Sequence, residues 1–237
     1  MKNDGHKPEL YNMDFKWFIS PPIFSEKIKH LSAFFNADSV LKNHPNLEPI
    51  NGHFSDSRKA EYIAGRVCAI KALRSQGIQV DNILSNKDRS PIWPKHTSGS
   101  ITHSQNFISV AISTDKSIKS IGHDCEFIVS PNLVNEMMDS ILFDKEKELV
   151  FGDPQEFITL AYSAKECFFK AIYPLTKNFF SFEHAQIIKI DSQDKTFTIR
   201  ARRELEKKII GDRPFTGKYA LSQGIIHTGL EIISLKS

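Results

Sequence analysis

Asp124, Glu126 and Glu166, together with Lys165 and Lys170, are the residues best suited to chemistry: three carboxylates and two lysines that can hold a magnesium ion and a phosphorylated substrate in one cleft. In Gly122-His123-Asp124-Cys125-Glu126, an extended chain places Asp124 and Glu126 on one face, close enough to share a cation. In Ser163-Ala164-Lys165-Glu166, followed four residues later by Lys170, a helical chain sets Glu166 and Lys170 one turn apart. A carboxylate able to ligate a metal then stands beside an ammonium able to hold a phosphate. Magnesium suits such a set, because it takes oxygen ligands at about 2.0–2.1 Å, keeps several waters and fills the rest of its shell from phosphate oxygens. Each spacing alone also has a plainer reading. Asp124 and Glu126 fit a solvated strand face, and Glu166 with Lys170 fits a surface ion pair worth about 0.2–0.5 kcal/mol.

These groups meet only if the elements beneath them form. Ser55, Asp56 and Ser57 offer caps for a helix that runs to Gly77, a residue type suited to a left-handed C-terminal cap. Residues 87–98, rich in proline and polar side chains, read as loop. Phe107–Ser113 and residues 118–128 read as strands, and Thr114, Asp115 and Lys116 between them predict a hairpin. Asp153-Pro154-Gln155-Glu156 combines an N-cap, a proline at the first helical position and a glutamate at the capping-box position. The helix it opens is expected to stop before Pro174 and to bury a stripe of Phe157, Leu160, Ala161, Ala164, Phe168, Ala171 and Ile172, with Glu166 and Lys170 opposite. From Gln186 onward the pattern is strand-like, with Thr196–Ala201, residues 215–221 and Ile225–Ile233 separated by turn residues.

The two motifs, with what precedes them, resemble those of the 4′-phosphopantetheinyl transferases of the surfactin and enterobactin type. That family reads G-[IV]-D-x-E and then [FW]-[ST]-x-K-E-[SA]-x-x-K. This chain reads Gly122-His123-Asp124-Cys125-Glu126 and Tyr162-Ser163-Ala164-Lys165-Glu166-Cys167-Phe168-Phe169-Lys170. Ala64-Gly65-Arg66, Arg89-Ser90-Pro91-Ile92-Trp93-Pro94 and Gly99-Ser100-Ile101-Thr102-His103-Ser104 follow the family order upstream, so the resemblance covers roughly residues 55–175. His123 stands where the family has Ile or Val, Cys125 where it often has Ile, and Tyr162 where it has Phe or Trp. None of these departures removes a charged group, but His123 sets an ionisable ring beside the metal motif.

The resemblance implies an α+β fold of two similar lobes related by a pseudo-twofold, each a small antiparallel sheet packed with helices, with the active site in the cleft between them. Residues 1–116 would form the lobe that recognises the nucleotide of coenzyme A, and residues 117–237 the lobe with the magnesium site and catalytic helix. It implies Asp124, Glu126 and Glu166 as magnesium ligands and Glu166 as the base for an incoming serine hydroxyl. Lys170 would neutralise a pyrophosphate oxygen, with Asp124 also in the coenzyme A site. Arg58 and Arg66, with Arg89 from the loop, are implied at the 3′-phosphate and adenine end of coenzyme A, and Thr102 and His103 at the pyrophosphate. The implied reaction moves 4′-phosphopantetheine from coenzyme A to a serine of an apo carrier protein and releases adenosine 3′,5′-bisphosphate. Siderophore, non-ribosomal peptide or polyketide carriers are the implied partners. Two rival readings of the same charges are a coenzyme A or nucleotide-binding regulatory module without turnover, which the intact metal and base positions oppose, and a metal-dependent nuclease.

Composition bounds these readings. At 237 residues, 40% hydrophobic and 25% charged, the chain has the make-up of a globular protein with a sizeable core. A net charge of +3 does not require nucleic acid, and the basic run at 200–208 carries Glu204 and Glu206 without interleaved aromatics. Residues 1–17 are polar and broken by Pro8, and no apolar run approaches the roughly 20 residues that cross a bilayer, so a cytoplasmic location without a membrane span is expected. Cys68, Cys125 and Cys167 are an odd number without C-x-x-C spacing and read as reduced packing residues. A two-lobed chain supplies both sides of its cleft, so a monomer is expected. The resemblance places carrier docking between the motifs, where Leu133, Met137, Met138, Ile141 and Leu142 are followed by Lys145 and Lys147. Helical spacing assigns Val134, Met137, Met138 and Ile141 to a buried face.

Overall fold

A computed structural model describes residues 14–47, 54–202 and 213–233. Its strands form two antiparallel sheets. In the first, β1 (Phe15–Phe18), β2 (Lys29–Phe35), β3 (Ser98–Ser104) and β4 (Phe107–Ser113) lie in the order β1-β2-β4-β3. In the second, β5 (Ile118–Phe127), β6 (Ala185–Asp191), β7 (Thr196–Ala201), β8 (Phe215–Ser222) and β9 (Ile225–Ile233) lie in the order β5-β9-β8-β7-β6. The short α1 (Ala37–Asn43) packs against the long α2 (Asp56–Ser75), which covers the first sheet. On the second, α3 (Val134–Ile141) and α4 (Asp144–Lys147) flank the long α5 (Pro154–Thr176). The chain thus adopts the two-lobed α+β fold that the resemblance implies.

Local chemistry explains both long helices. Ser55 caps α2, its hydroxyl oxygen accepting from the Arg58 N–H at 3.3 Å, and Gly77 follows the helix at φ +79°, in the region that favours glycine. Asp153 caps α5 by accepting from the Gln155 N–H at 2.8 Å. The predicted stripe of α5 is buried throughout, and burying each large member contributes about 1.5–3 kcal/mol. Ile158, Thr159, Ser163, Lys165 and Cys167 are buried as well, so α5 is enclosed on more than one side. The helix does not stop before Pro174: it runs to Thr176 and ends on Lys177 at φ +53°. A proline in the last turn forfeits a single amide bond near an end where carbonyls already lack partners.

The predicted hairpin of 107–113 and 118–128 is not formed. Both edges of β4 are taken, by β2 and β3, whereas among the described residues β5 is laddered only to β9, and residues 114–117 carry the chain from one sheet to the other. Asp115 does turn the chain, its Oδ1 accepting from the Ser117 N–H at 2.7 Å, but a turn signal does not say which sheet receives the next strand.

Where the sheets meet, β3 runs beside β5 with hydroxyls in place of a backbone ladder. Ser98 Oγ donates to the Ile118 carbonyl at 3.1 Å, and Ser100 Oγ accepts from the His123 N–H at 3.2 Å. Thr102 Oγ1 accepts from the Cys125 N–H at 3.3 Å, and Ser104 Oγ donates to Glu126 Oε2 at 2.7 Å. The period of two puts all four on one side of β3. Each neutral bond contributes only about 0.5–1.5 kcal/mol, so their larger effect is to fix the register of one sheet against the other. The three cysteines are buried and free, as their count and spacing predict. The basic run at 200–208 falls mostly outside the described residues.

Candidate active site

One face of β5 turns toward α5, and Gly122 sets the distance. A Cβ on Gly122 would lie 2.0 Å from the Cys167 carbonyl oxygen and 2.9 Å from Ala171 Cβ, so only glycine lets the helix lie so close. That approach carries Lys170 Nζ to 2.6 Å from Asp124 Oδ1, where it donates, and to 3.1 Å from Thr102 Oγ1. Thr102 Oγ1 itself donates to Asp124 Oδ1 at 2.9 Å. Asp124, Lys170 and Thr102, from β5, α5 and β3, therefore form one triangle at the junction of the sheets.

The electrostatics of this triangle are unbalanced. Asp124 is 2% exposed, and its Oδ2 is buried without a hydrogen-bond partner among the described residues. Burial, and then the charge of Asp124, push Glu126 up to about 7. Burial first, and again Asp124, raise Glu166 against the opposing pull of Lys170. Tyr162 is raised to about 12 by burial and by the same three carboxylates. Burial would depress Lys170, but contact with Asp124 and the charge of Glu166 outweigh it and hold the ammonium up to about 12. Three carboxylates against one ammonium leave an excess of negative charge, with one buried carboxylate oxygen still lacking a donor. The donor set of Asp124, Glu126 and Glu166 fits a hard divalent cation on those grounds.

The remaining predicted residues divide. Arg58 Nη1 donates to Glu61 Oε2 at 2.9 Å and to His103 Nε2 at 2.8 Å, which makes that nitrogen of His103 the acceptor. Burial lowers His103 below its ordinary range, and its surroundings include Lys170 and Asp124, so this cluster adjoins the triangle. Arg89 sits in the loop at φ +68°, 5.8 Å from the Phe54 ring centroid. Its neighbour Asp88 accepts from the hydroxyl of Tyr173 on α5, and hydrogen bonds from Ser90 and Tyr173 hold Asp88 down to about 2. The loop is thereby tied to α5.

Arg66, also implied at the coenzyme A site, is buried where Arg58 is exposed. It is 4% exposed, donates from Nε to the Ile83 carbonyl and from Nη2 to Ser85 Oγ, both at 2.7 Å, and stacks 4.3 Å from the Tyr62 ring centroid. Eight residues of helix turn it inward where Arg58 stays out. Lys165 also departs from the expected cleft. Its fully buried ammonium donates to Glu146 Oε2 at 2.9 Å and to the Ile141 carbonyl at 2.8 Å. Glu146 in turn accepts from the N–H groups of Ile187 and Phe143, so this pair fastens α5 to α4 and β6.

Sequence reasoning missed Ser104, Glu61, Tyr173 and Asp88. Ser104 was accessible to it, since Thr102 and Ser104 alternate on β3 as Asp124 and Glu126 do on β5. A cavity of about 320 Å³ opens beside Glu166, walled by Phe169, Phe179, Phe180 and Phe182. In the segment where carrier docking is expected, Val134 and Ile141 are buried, Met137 and Met138 are partly buried against the core, and Leu133 is exposed. No helix among the described residues is long and apolar enough to cross a membrane.

Residues 52–113 match the family model described as the 4′-phosphopantetheinyl transferase N-terminal domain, and residues 120–222 match that of the 4′-phosphopantetheinyl transferase superfamily. The chain is 31% identical over 185 residues to 4′-phosphopantetheinyl transferase Svp of Streptomyces mobaraensis, covering 74% of this chain and 72% of that protein. It is 27% identical over 195 residues to 4′-phosphopantetheinyl transferase PptT of Mycobacterium tuberculosis, covering 78% and 84%. With enterobactin synthase component D of Salmonella typhi the identity is 36% over 117 residues, about half of either chain at 48%.

Proposed function

The chain belongs to the 4′-phosphopantetheinyl transferase superfamily, and on that premise we propose that its reaction is carried by the buried group of Asp124, Glu126, Glu166 and Lys170. As an enzyme of this class it transfers the phosphopantetheine of coenzyme A to a serine hydroxyl of a carrier protein. The observation that carries the site assignment is the unpartnered Oδ2 of Asp124, set among like charges at the junction of the two sheets.

The serine oxygen attacks the β-phosphorus of coenzyme A, a new P–O bond forms, and the bond from that phosphorus to the bridging pyrophosphate oxygen breaks. Adenosine 3′,5′-bisphosphate leaves with the bonding pair. Glu166, raised by burial, takes the hydroxyl proton, and a carboxylate with an elevated pKa is the better base. Lys170, charged throughout the physiological range, stands against the pyrophosphate oxygens as charge builds on them. Thr102 and His103 orient the same group. Asp124, Glu126 and Glu166 would hold magnesium, which when bound supplies positive charge to the leaving phosphate.

Arg58 and Arg89 suit the 3′-phosphate and adenine end of coenzyme A as partly exposed guanidinium groups beside the cleft. Arg66, bonded to Ile83 and Ser85, serves the same wall by holding it in place. We assign the apolar hollow beside Glu166 to the pantetheine arm, and nucleotide recognition and metal binding to residues 1–116 and 117–237 respectively. Carriers of siderophore, non-ribosomal peptide or polyketide synthesis would dock near Leu133, Lys145 and Lys147, on a monomer. Intact-mass analysis of apo carrier incubated with coenzyme A, magnesium and the protein tests this reading. One phosphopantetheine increment on the serine, with stoichiometric adenosine 3′,5′-bisphosphate, is expected. Coenzyme A binding without an increment on any carrier would leave a binding module.

A further inference from the structure

The opposite face of β5 carries a second cluster that the transfer reaction does not use. His123 alternates with Asp124 and so points away from α5, toward the first sheet. In the β5–β9 register Cys125 faces His227, and His123, two residues along, lies on the same side of the sheet. His30 on β2 meets them from the other lobe. One ring nitrogen from each of the three lies within 4.8 Å of the others. His30 packs edge-on against His123 at 4.6 Å between ring centroids, and Phe24 and Phe107 close the sides.

The hydrogen bonds around these rings are incomplete. His123 Nδ1 donates to the Thr228 carbonyl at 2.9 Å, which leaves Nε2 as a lone pair, 2.6 Å from Ser109 Oγ. His30 Nε2 competes for the same hydroxyl at 3.0 Å, and its Nδ1 is buried without a well-formed hydrogen bond among the described residues, although the ring lies near the Pro21 carbonyl. His227 is 0% exposed and neither of its ring nitrogens has a partner among the described residues. A neutral imidazole always presents one N–H and one lone pair, so a core that merely buried His227 would leave both unmet, which folded proteins avoid.

We propose that His30, His123 and His227 form a zinc site buried between the two sheets, pinning one lobe to the other. Three imidazoles with one position left over are a known zinc donor set, with Zn–N of about 2.0–2.1 Å. A tetrahedron of that size spaces its ligand atoms about 3.3 Å apart, so the rings need close by no more than about 1.5 Å from the 4.8 Å limit. The fourth position falls to water or to the Ser109 hydroxyl. The Nδ1–H bond of His123 to Thr228 is the outer support that orients a zinc-bound imidazole. The ion would be structural, separate from the carboxylate face, and softer in its ligands than magnesium.

The test loads chelator-stripped full-length protein with Zn2+ in excess Mg2+ and measures bound metal by plasma mass spectrometry, with Co2+ as a spectroscopic probe. One zinc per chain is expected in the wild type and in Glu126→Gln, and none in His227→Phe. Co2+ in the unmutated protein should give the strong visible absorption of a tetrahedral nitrogen site. Chelation should lower the wild-type melting temperature by about 5–10 °C, relative to protein held at a hundredfold excess of zinc over Kd, and should leave His227→Phe unmoved. Absence of bound zinc in the wild type, or zinc lost by Glu126→Gln and kept by His227→Phe, overturns the proposal and leaves water as the partner of the rings. If His227→Phe fails to fold, the Co2+ spectrum decides, weak octahedral absorption counting against the site.

Discussion

The face of β5 that carries Asp124 and Glu126 and the face that carries His123 are both crowded with groups of one kind, and burial acts on them in opposite directions. A buried carboxylate resists losing its proton, so Glu126 and Glu166 are raised. A buried imidazole resists gaining one, so His30 falls to about 3 and His227 to about 4. The carboxylate face therefore gains most from a compensating charge, which Lys170 supplies only in part. The histidine face carries no charge at neutral pH and gains most from something that accepts a lone pair. One strand, through its period of two, can serve a hard oxygen-ligated cation on one side and a nitrogen-ligated one on the other.

Breaking the carboxylate face should have the largest effect. Asp124→Ala removes a proposed metal ligand and the partner of Lys170, and turnover should fall by at least about 10²–10³-fold. Urea unfolding should show a smaller loss than breaking the Lys165–Glu146 pair, because Glu166 still faces the ammonium and both remaining carboxylates lose a like-charged neighbour. Turnover within a few-fold of wild type would remove Asp124 from the mechanism.

Next in size is the contrast between two lysines five residues apart on α5. Lys165→Met breaks the pair with Glu146 and should cost about 3–5 kcal/mol of stability, with coenzyme A affinity by calorimetry unchanged in the fraction that folds. Lys170→Met should lose turnover and coenzyme A affinity in folded protein as well as about 3–5 kcal/mol of stability, because it leaves the buried Asp124 carboxylate unpaired. If Lys165→Met abolished coenzyme A binding in folded protein, the buried pair would have been misjudged.

A pH series of melting temperatures, in chelator, sets the two faces against each other. Histidines lowered from 6.5 contribute stability that is present above that pH and lost as pH falls toward 4 and then 3. Glu126, raised from 4.5, contributes stability that is present below 4.5 and lost as pH rises through about 7. Between these limits the two slopes oppose each other. Glu126→Gln should steepen the rise in melting temperature from pH 4.5 to 6.5, and His227→Phe should flatten it. Identical profiles for all three proteins would mean that neither face titrates as described.

The smallest expected effect is at the nucleotide end. Arg58→Ala should raise the KM for coenzyme A by about tenfold, with little change for the analogue lacking the 3′-phosphate, since a charge-assisted bond contributes about 1.5–3 kcal/mol. An equal rise for both would trace the effect to the displaced His103.

What could be read from the chain was whatever is periodic or capped. The bounds of β4, β7 and β9, the caps of α2 and α5, and the stripe of α5 all follow from local patterns that the fold respects. The side-by-side placement of Asp124, Glu126 and Lys170 followed from the same two periods. The destination of β5 was not legible, because Asp115 marks a turn without saying that β2 and β3 have already taken both edges of β4. Arg66 and Lys165 looked like neighbours of a ligand because their charge is visible and their burial partners are distant in sequence, at Ile83 and at Glu146. The three histidines are furthest from legibility, lying on strands separated by about a hundred residues and belonging to two sheets.

The most direct measurement of the central claim is transfer to an apo carrier, followed by intact mass across a magnesium titration, in Asp124→Asn, Glu126→Gln and Glu166→Gln with folding verified for each. The shared-cation account predicts that all three lose transfer at limiting magnesium while His227→Phe, on the opposite face, retains it. Near-native turnover in any one of the carboxylate variants at limiting magnesium would contradict that residue's place at the metal.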